Sequence, residues 1–209
     1  MENQKTPFSI NIIYWTAQIV FWLFVLICTA TVLFNVLLYT DFFGNDLQLH
    51  VHFPSKVNFL ETGILEINNT EVKVELVNGT SQIHFFNTPL FIARYFGLAM
   101  LVAVGTMFYM MFVFRKFITN VKHNKIFEIA NIRLLQNLAY AIFALWIFTI
   151  IYMRIMFYSI ASNVEFEHIE ILEEFPNFAG IPMLALFIWV LSHVFITGVK
   201  LQEEQNLTV

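Results

Sequence analysis

Residues 115–137 read RKFITNVKHNKIFEIANIRLLQN, the one basic run in a chain that is elsewhere apolar or acidic. Arg115, Lys116, Lys122, Lys125 and Arg133 stand here against a single acid, Glu128. Loops rich in Lys and Arg are retained on the cytoplasmic side of a membrane, so this run decides how the chain is threaded. That reading needs a membrane protein, and the composition provides one. The chain is 58% apolar and 12% charged, where a soluble domain is roughly half apolar and about a quarter charged.

Apolar runs flank the basic stretch on both sides. Residues 134–153 carry no charge and form the core of a third span, set at 134–158, which ends where Arg154 snorkels outward with Tyr152 and Tyr158. On the other side, Thr88-Pro89 is a helix start, with a hydroxyl to cap free amides and a proline in the first turn. The second span therefore occupies 89–114. Arg94 in its first turn is an anchor for outer headgroups, and Gly97, Ala99, Ala103 and Gly105 give it a small-residue surface for close helix contact.

Two further spans complete the frame. Between Thr6 and Thr40 no residue is charged, and this length exceeds the roughly 20 residues that cross a bilayer. Residues 1–40 are thus read as the N-terminus and first span, a retained anchor, because a secretory signal has a shorter apolar core. Cys28 lacks a small residue beside it for lipoprotein processing, and as the single cysteine it forms no intramolecular disulfide. Residues 177–199 form the fourth span, with Pro182 kinking or fraying its start. The loop at 115–133 holds five bases, the long first loop only Lys56 and Lys73, and 159–176 only acids (Glu165, Glu167, Glu170, Glu173, Glu174). Both chain ends are therefore placed inside, with the tail at 200–209.

Residues 41–88 change character. Leu47, Leu49, Val51 and Phe53 alternate with Gln48, His50 and His52, as in a half-buried strand. Further strands are expected at Gly63–Ile67, Val72–Leu76 and Gln82–Phe86, with turns at Asn68-Asn69 and Asn78-Gly79. Val164, Phe166 and His168 alternate with glutamates and support either another strand joined to this sheet or a short amphipathic helix. The predicted fold is mainly α and integral to the membrane. It has four transmembrane helices and a small extracytoplasmic antiparallel β-meander between helices 1 and 2.

Candidate functional residues fall in four places. Phe127, Asn131 and Leu135 are spaced by four and share a helix face, which either docks a partner or packs on neighbouring spans; apolar periodicity favours packing. The bases around them bind anionic lipid without any partner. In the tail, Glu203, Glu204, Leu207, Thr208 and Val209 form an acidic then apolar ending that either enters a partner's groove or folds back on the basic loop. His50, His52 and His84 are weak metal candidates, more simply explained as solvated strand residues. His193 lies in the inner half of the fourth span, where an ionisable group is a functional candidate or a hydrogen-bonding one. No catalytic set and no cofactor motif can be assembled from these residues, so neither an enzyme nor a cofactor is expected.

Two short signatures carry a family resemblance: Asn124-Lys125-Ile126-Phe127 followed by Asn131, and the ending Glu203-Glu204-Gln205-Asn206-Leu207-Thr208-Val209. Both resemble DUF2975, bacterial four-span membrane proteins of unknown function with an "N-K-x-F" loop and an "E-x-D-L-T-V" ending. The resemblance extends over the four-span frame from the first helix to the last residue. Asn206 stands where that ending has an acid, and the 41–88 insertion is longer than in many members. The resemblance implies a bacterial inner membrane, and members are often encoded beside a small helix-turn-helix DNA-binding protein. With the elaborated outer loop and two motif-bearing inner segments, the expected function is a non-enzymatic sensor or regulatory scaffold. Its partners are the lipid bilayer, a cytoplasmic regulatory protein and further copies of the chain, with no direct contact to nucleic acid. The rival is a small transporter or channel subunit, although the spans hold almost no charge.

Overall fold

The computed structural model describes residues 8–44, 47–59, 62–67, 70–75, 79–161, 163, 164, 167, 169–173, 175, 176 and 178–207. Four long helices dominate: α1 (Phe8–Tyr39), α2 (Leu90–Lys122), α3 (Ile129–Ala161) and α4 (Gly180–Leu207). All four are long and apolar enough to cross a membrane. At about 1.5 Å per residue, the 32 residues of α1 exceed the ~30 Å of a hydrocarbon core. Large apolar side chains such as Trp15, Trp22 and Leu26 are exposed along it. That arrangement suits lipid as the solvent and would be costly in water.

The chain forms two compact units, one built from residues 1–40, 94–148 and 178–209, the other from 41–93 and 149–177. In the helical unit, α1 and α2 pack through Phe21 and Phe108, whose ring centroids are 5.6 Å apart. They pack also through Asn35, Leu38 and Gly97. Asn35 is a polar side chain buried to 3% exposure. Its amide donates to Thr31 O at 2.9 Å, while its Oδ1 has no hydrogen-bond partner among the described residues and faces the bare backbone of Gly97. Arg94, expected to reach outward for headgroups, instead donates from Nε to Leu38 O at 3.5 Å and lies over the Tyr39 ring. Cys28 points its thiol toward Val104 O, consistent with packing against a helix.

The second unit contains the β-rich insertion and five strands: β1 (Leu49–Phe59), β2 (Thr62–Ile67), β3 (Thr70–Glu75), β4 (Gly79–Phe85) and β5 (Ile169–Ile171). As expected, the segment between α1 and α2 is a small antiparallel β structure, and its pairing is nested. β2 pairs with β3 from Thr62↔Glu75 to Ile67↔Thr70, and β1 pairs with β4 from Leu49↔Phe85 to Val57↔Gly79, with a register shift between His52 and Lys56. β5 joins the free edge of β1 through Val57↔Ile171 and Phe59↔Ile169. A strand from the connection between α3 and α4 thus does join the sheet, slightly later in the chain than the 164–168 alternation indicates. Val57, at the centre of the three strands, is buried. The Phe59 ring covers Gly79, where a Cβ would lie 2.8 Å from it. The turn residues Asn68, Asn69 and Asn78, and Glu165, Phe166 and His168 of the 164–168 alternation, lie outside the described residues.

Two connections differ from expectation. The Thr88 hydroxyl does not cap α2 but donates to Phe85 O at 3.2 Å, while its backbone N–H donates to Leu47 O. Arg154 does not simply snorkel. It pairs with Glu173 at 2.6 Å and lies over Phe175, and the Tyr158 hydroxyl donates to the same carboxylate. Those contacts hold the acidic connection against the end of α3.

Candidate functional site

The basic stretch is mostly helix. α2 continues through Lys122 and α3 begins at Ile129, so the true turn is only 123–128. Asn124 takes the left-handed conformation, with φ of 60°, and two backbone bonds close the end of α2. Lys125 N–H donates to Asn120 O at 2.9 Å, and Asn124 N–H donates to Val121 O at 3.0 Å. This is a Schellman closure, which needs a glycine or asparagine at the position Asn124 occupies. The first residue of the N-K-x-F motif is therefore explained by backbone geometry.

Asn131 completes the turn. It is fully buried, its Oδ1 accepts from Asn120 Nδ2 at 3.2 Å, and its Nδ2 donates to Ile126 O at 3.5 Å. Leu135, a turn further along α3, is also buried. Of the three residues proposed to share a docking face, two are thus internal struts. Phe127 differs. It is 47% exposed, yet its ring rests beside Phe195, with centroids 6.0 Å apart, and against Gly198 of α4. A Cβ at Gly198 would lie 3.6 Å from the Phe127 ring, an ordinary van der Waals distance, so this position has room for an alanine.

The tail continues α4 as helix through Leu207. The tail up to Leu207 is thus helical, not a loose peptide. Glu204 is exposed on this extension. The side chains of Glu203 and Leu207, and all of Thr208 and Val209, lie outside the described part of the structure.

The bases divide into two kinds. Arg115 lies over the Phe21 ring at 4.3 Å, and Lys122 over the Tyr14 ring at 3.8 Å, so both bind the C-terminal part of α2 to α1 through cation–π contacts. Lys125 pairs with Glu128 at 3.3 Å in an exposed i,i+3 geometry, worth about 0–1 kcal/mol. Lys116 and Arg133 are exposed and make no ion pair among the described residues.

His193 is exposed and stacks edge-on with Trp189 at 4.3 Å. Among the described residues its ring makes no hydrogen bond to a neighbouring helix. The buried polar group at this level is Ser192, which donates to Trp189 O at 2.6 Å. In the sheet, His50 and His84 are cross-strand partners with rings stacked at 3.8 Å and 17°. Parallel stacking turns the nitrogens of the two rings away from any common point between them. No group of three potential metal ligands exists among the described residues, and the His52 side chain lies outside them.

Asn35, Asn120 and Gly198 are the structural residues that sequence reasoning passes over. Asn35 had a visible signal, being an amide inside an uncharged span, where an unpaired polar group is costly. Asn120 and Gly198 had none, because each acquires meaning only from a partner distant in sequence.

No curated protein and no solved structure matches the chain. The model of a protein family of unknown function, DUF2975, matches residues 70–209, from β3 to the last residue. That match is narrower than a resemblance starting at the first helix, leaving α1 and the first half of the insertion outside. It still takes in the Schellman turn, the Asn131 strut, the Phe127 contact and the helical tail, and it covers well over half of the sequence, so the chain belongs to the DUF2975 family.

Proposed function

We propose that this chain is a non-enzymatic sensor or regulatory scaffold of the bacterial inner membrane, with both ends in the cytoplasm. Its β insertion meets a signal on the extracytoplasmic side, and the 123–128 turn with the α4 extension meets a cytoplasmic regulator. The carrying observation is Phe127, half-exposed in the basic turn with its ring centroid 6.0 Å from that of Phe195 on α4. One aromatic ring thereby joins the turn that bears the loop motif to the helix that continues into the tail motif, and it is the member of the Phe127, Asn131, Leu135 set that a partner can touch. Aromatic rings that are rigidly seated and still accessible are efficient anchors for a partner. The family association supports a regulator of the helix-turn-helix class, of the kind often encoded beside members.

The test uses the full chain purified in detergent with that neighbouring regulator. The expected result is a complex that weakens by tenfold or more, about 1.4 kcal/mol, on Phe127→Ala and on removal of residues 201–209. If neither change alters binding, or if no complex forms at all, the regulatory reading fails. Flux in proteoliposomes that is lost on His193→Ala would replace it with a transport function.

A further inference from the structure

Between α2 and α3 lies an open groove of about 560 Å³, within the size range of small-molecule sites. Its properties change along its length. Leu101, Gly105 and Ala144 line an apolar stretch, and Tyr109, Asn137 and Tyr140 line a polar one. Asn137 is exposed and makes no hydrogen bond among the described residues. An amide left so in hydrocarbon carries a cost that an acyl chain alone cannot relieve.

The same helix faces end in positive charge. Lys116 follows Gly105 by eleven residues, three turns of helix, and Arg133 precedes Asn137 by four, so each lies on the side of its helix that lines the groove. The Asn120–Asn131 bond holds α2 and α3 together at this end. Neither base is engaged by an acid among the described residues, and no acid lines the groove. The order along the groove is thus apolar, amide and phenol, then cation. That is the order of acyl chain, ester and phosphate in an anionic phospholipid.

We propose that the α2–α3 groove binds one anionic phospholipid. One acyl chain lies against Gly105 and Ala144, Asn137 and Tyr140 hydrogen-bond the ester region, and Lys116 with Arg133 hold the phosphate. The site requires only that the helices cross the bilayer and is independent of any regulator. The other three bases of the stretch would attract anionic lipid diffusely, but Arg115 and Lys122 are stacked on aromatic rings and Lys125 is paired.

The experiment is native mass spectrometry of the full chain in detergent with equal amounts of phosphatidylglycerol and phosphatidylcholine. The native chain should retain one phosphatidylglycerol in preference to phosphatidylcholine. Lys116→Gln and Arg133→Gln should each lower that preference about fivefold, the size expected for one base near an anionic headgroup. Arg133→Lys should keep it, and Lys125→Gln, outside the groove, should leave it unchanged. Gly105→Leu should lower retention of both lipids by filling the apolar stretch. Equal retention of the two lipids by the native chain, or an equal loss in Lys125→Gln, overturns the site. A dimer that Gly105→Leu abolishes would also overturn it, assigning the groove to a second copy of the chain.

Discussion

α2 meets its two neighbours in opposite ways. At Gly97 it closes on α1 so tightly that a Cβ would lie 2.6 Å from Asn35 Oδ1 and 2.9 Å from Leu38 Cδ1. At Gly105, on the side facing the α3 groove, an added Cβ would have nothing within 4 Å. Both glycines belong to one set of small residues on one helix, about 80° apart around its axis, and a sequence pattern treats them alike. The difference lies in what stands opposite. Asn35 and Leu38 are buried and reach the helix backbone, whereas the α3 residues across the groove, Asn137 and Tyr140, are exposed and leave it open. A small residue permits close approach without producing it. The α1–α2 seam is a structural joint, and the α2–α3 groove is a space available to something else.

The largest expected effect is at the joint. Gly97→Ala should destabilise the chain by about 1–3 kcal/mol, the usual cost of overpacking a close contact, read as a lowered thermal unfolding midpoint in detergent. Asn35→Ala added to it should recover part of the loss, because the double change removes the nearer of the two atoms that the new methyl meets, leaving Leu38 Cδ1, and neighbouring sites are not additive. A Gly97→Ala chain as stable as the native one would break the contrast at its stronger end.

The inner turn comes next, since it holds α2 to α3 where the groove does not. Asn131→Ala leaves the half-buried Asn120 amide and Ile126 carbonyl without their partner and should cost about 1–3 kcal/mol. Asn131→Asp tests the same strut differently, by replacing the donor to Ile126 O while keeping an acceptor for Asn120. It should retain more stability than Asn131→Ala. Asn124→Ala should cost about 1 kcal/mol, because alanine tolerates the left-handed backbone poorly, and Asn124→Gly should be nearly neutral. Hydrogen exchange at the 123–128 turn would show whether the loss is local.

The frame was readable in the sequence because hydropathy and strand alternation are local signals. The four helices fall where uncharged runs predict them, and β2 to β4 lie within a few residues of their expected places. Helix ends were less legible. The onset of charge places span ends at Phe114 and Val199, but α2 runs to Lys122 and α4 to Leu207. Charge marks where the membrane ends, and a helix continues as long as its backbone bonds do. The roles of Asn131 and Leu135 were half visible: a spacing of four gives a shared face, yet only the position of Asn120 on α2 shows that this face is turned inward. Phe127, on the face for which apolar periodicity favours packing, is instead 47% exposed, and its ring pair with Phe195 spans 68 positions that no local pattern connects.

The smallest expected effects are the sharpest check on the open side of the contrast. Gly105→Ala adds a methyl that meets no atom and removes a flexible residue from a helix interior, so stability should be unchanged or rise by up to about 1 kcal/mol. Gly198→Ala places its methyl in ordinary contact with Phe127 and should shift stability by less than about 0.5 kcal/mol. Three glycine-to-alanine changes in one chain should then fall in the order Gly97 well below Gly198, with Gly105 highest, when unfolding midpoints are compared in one detergent. Equal losses at Gly97 and Gly105 would mean that α3 closes on α2 as α1 does. In that case the groove would not exist as a space, and no lipid could occupy it.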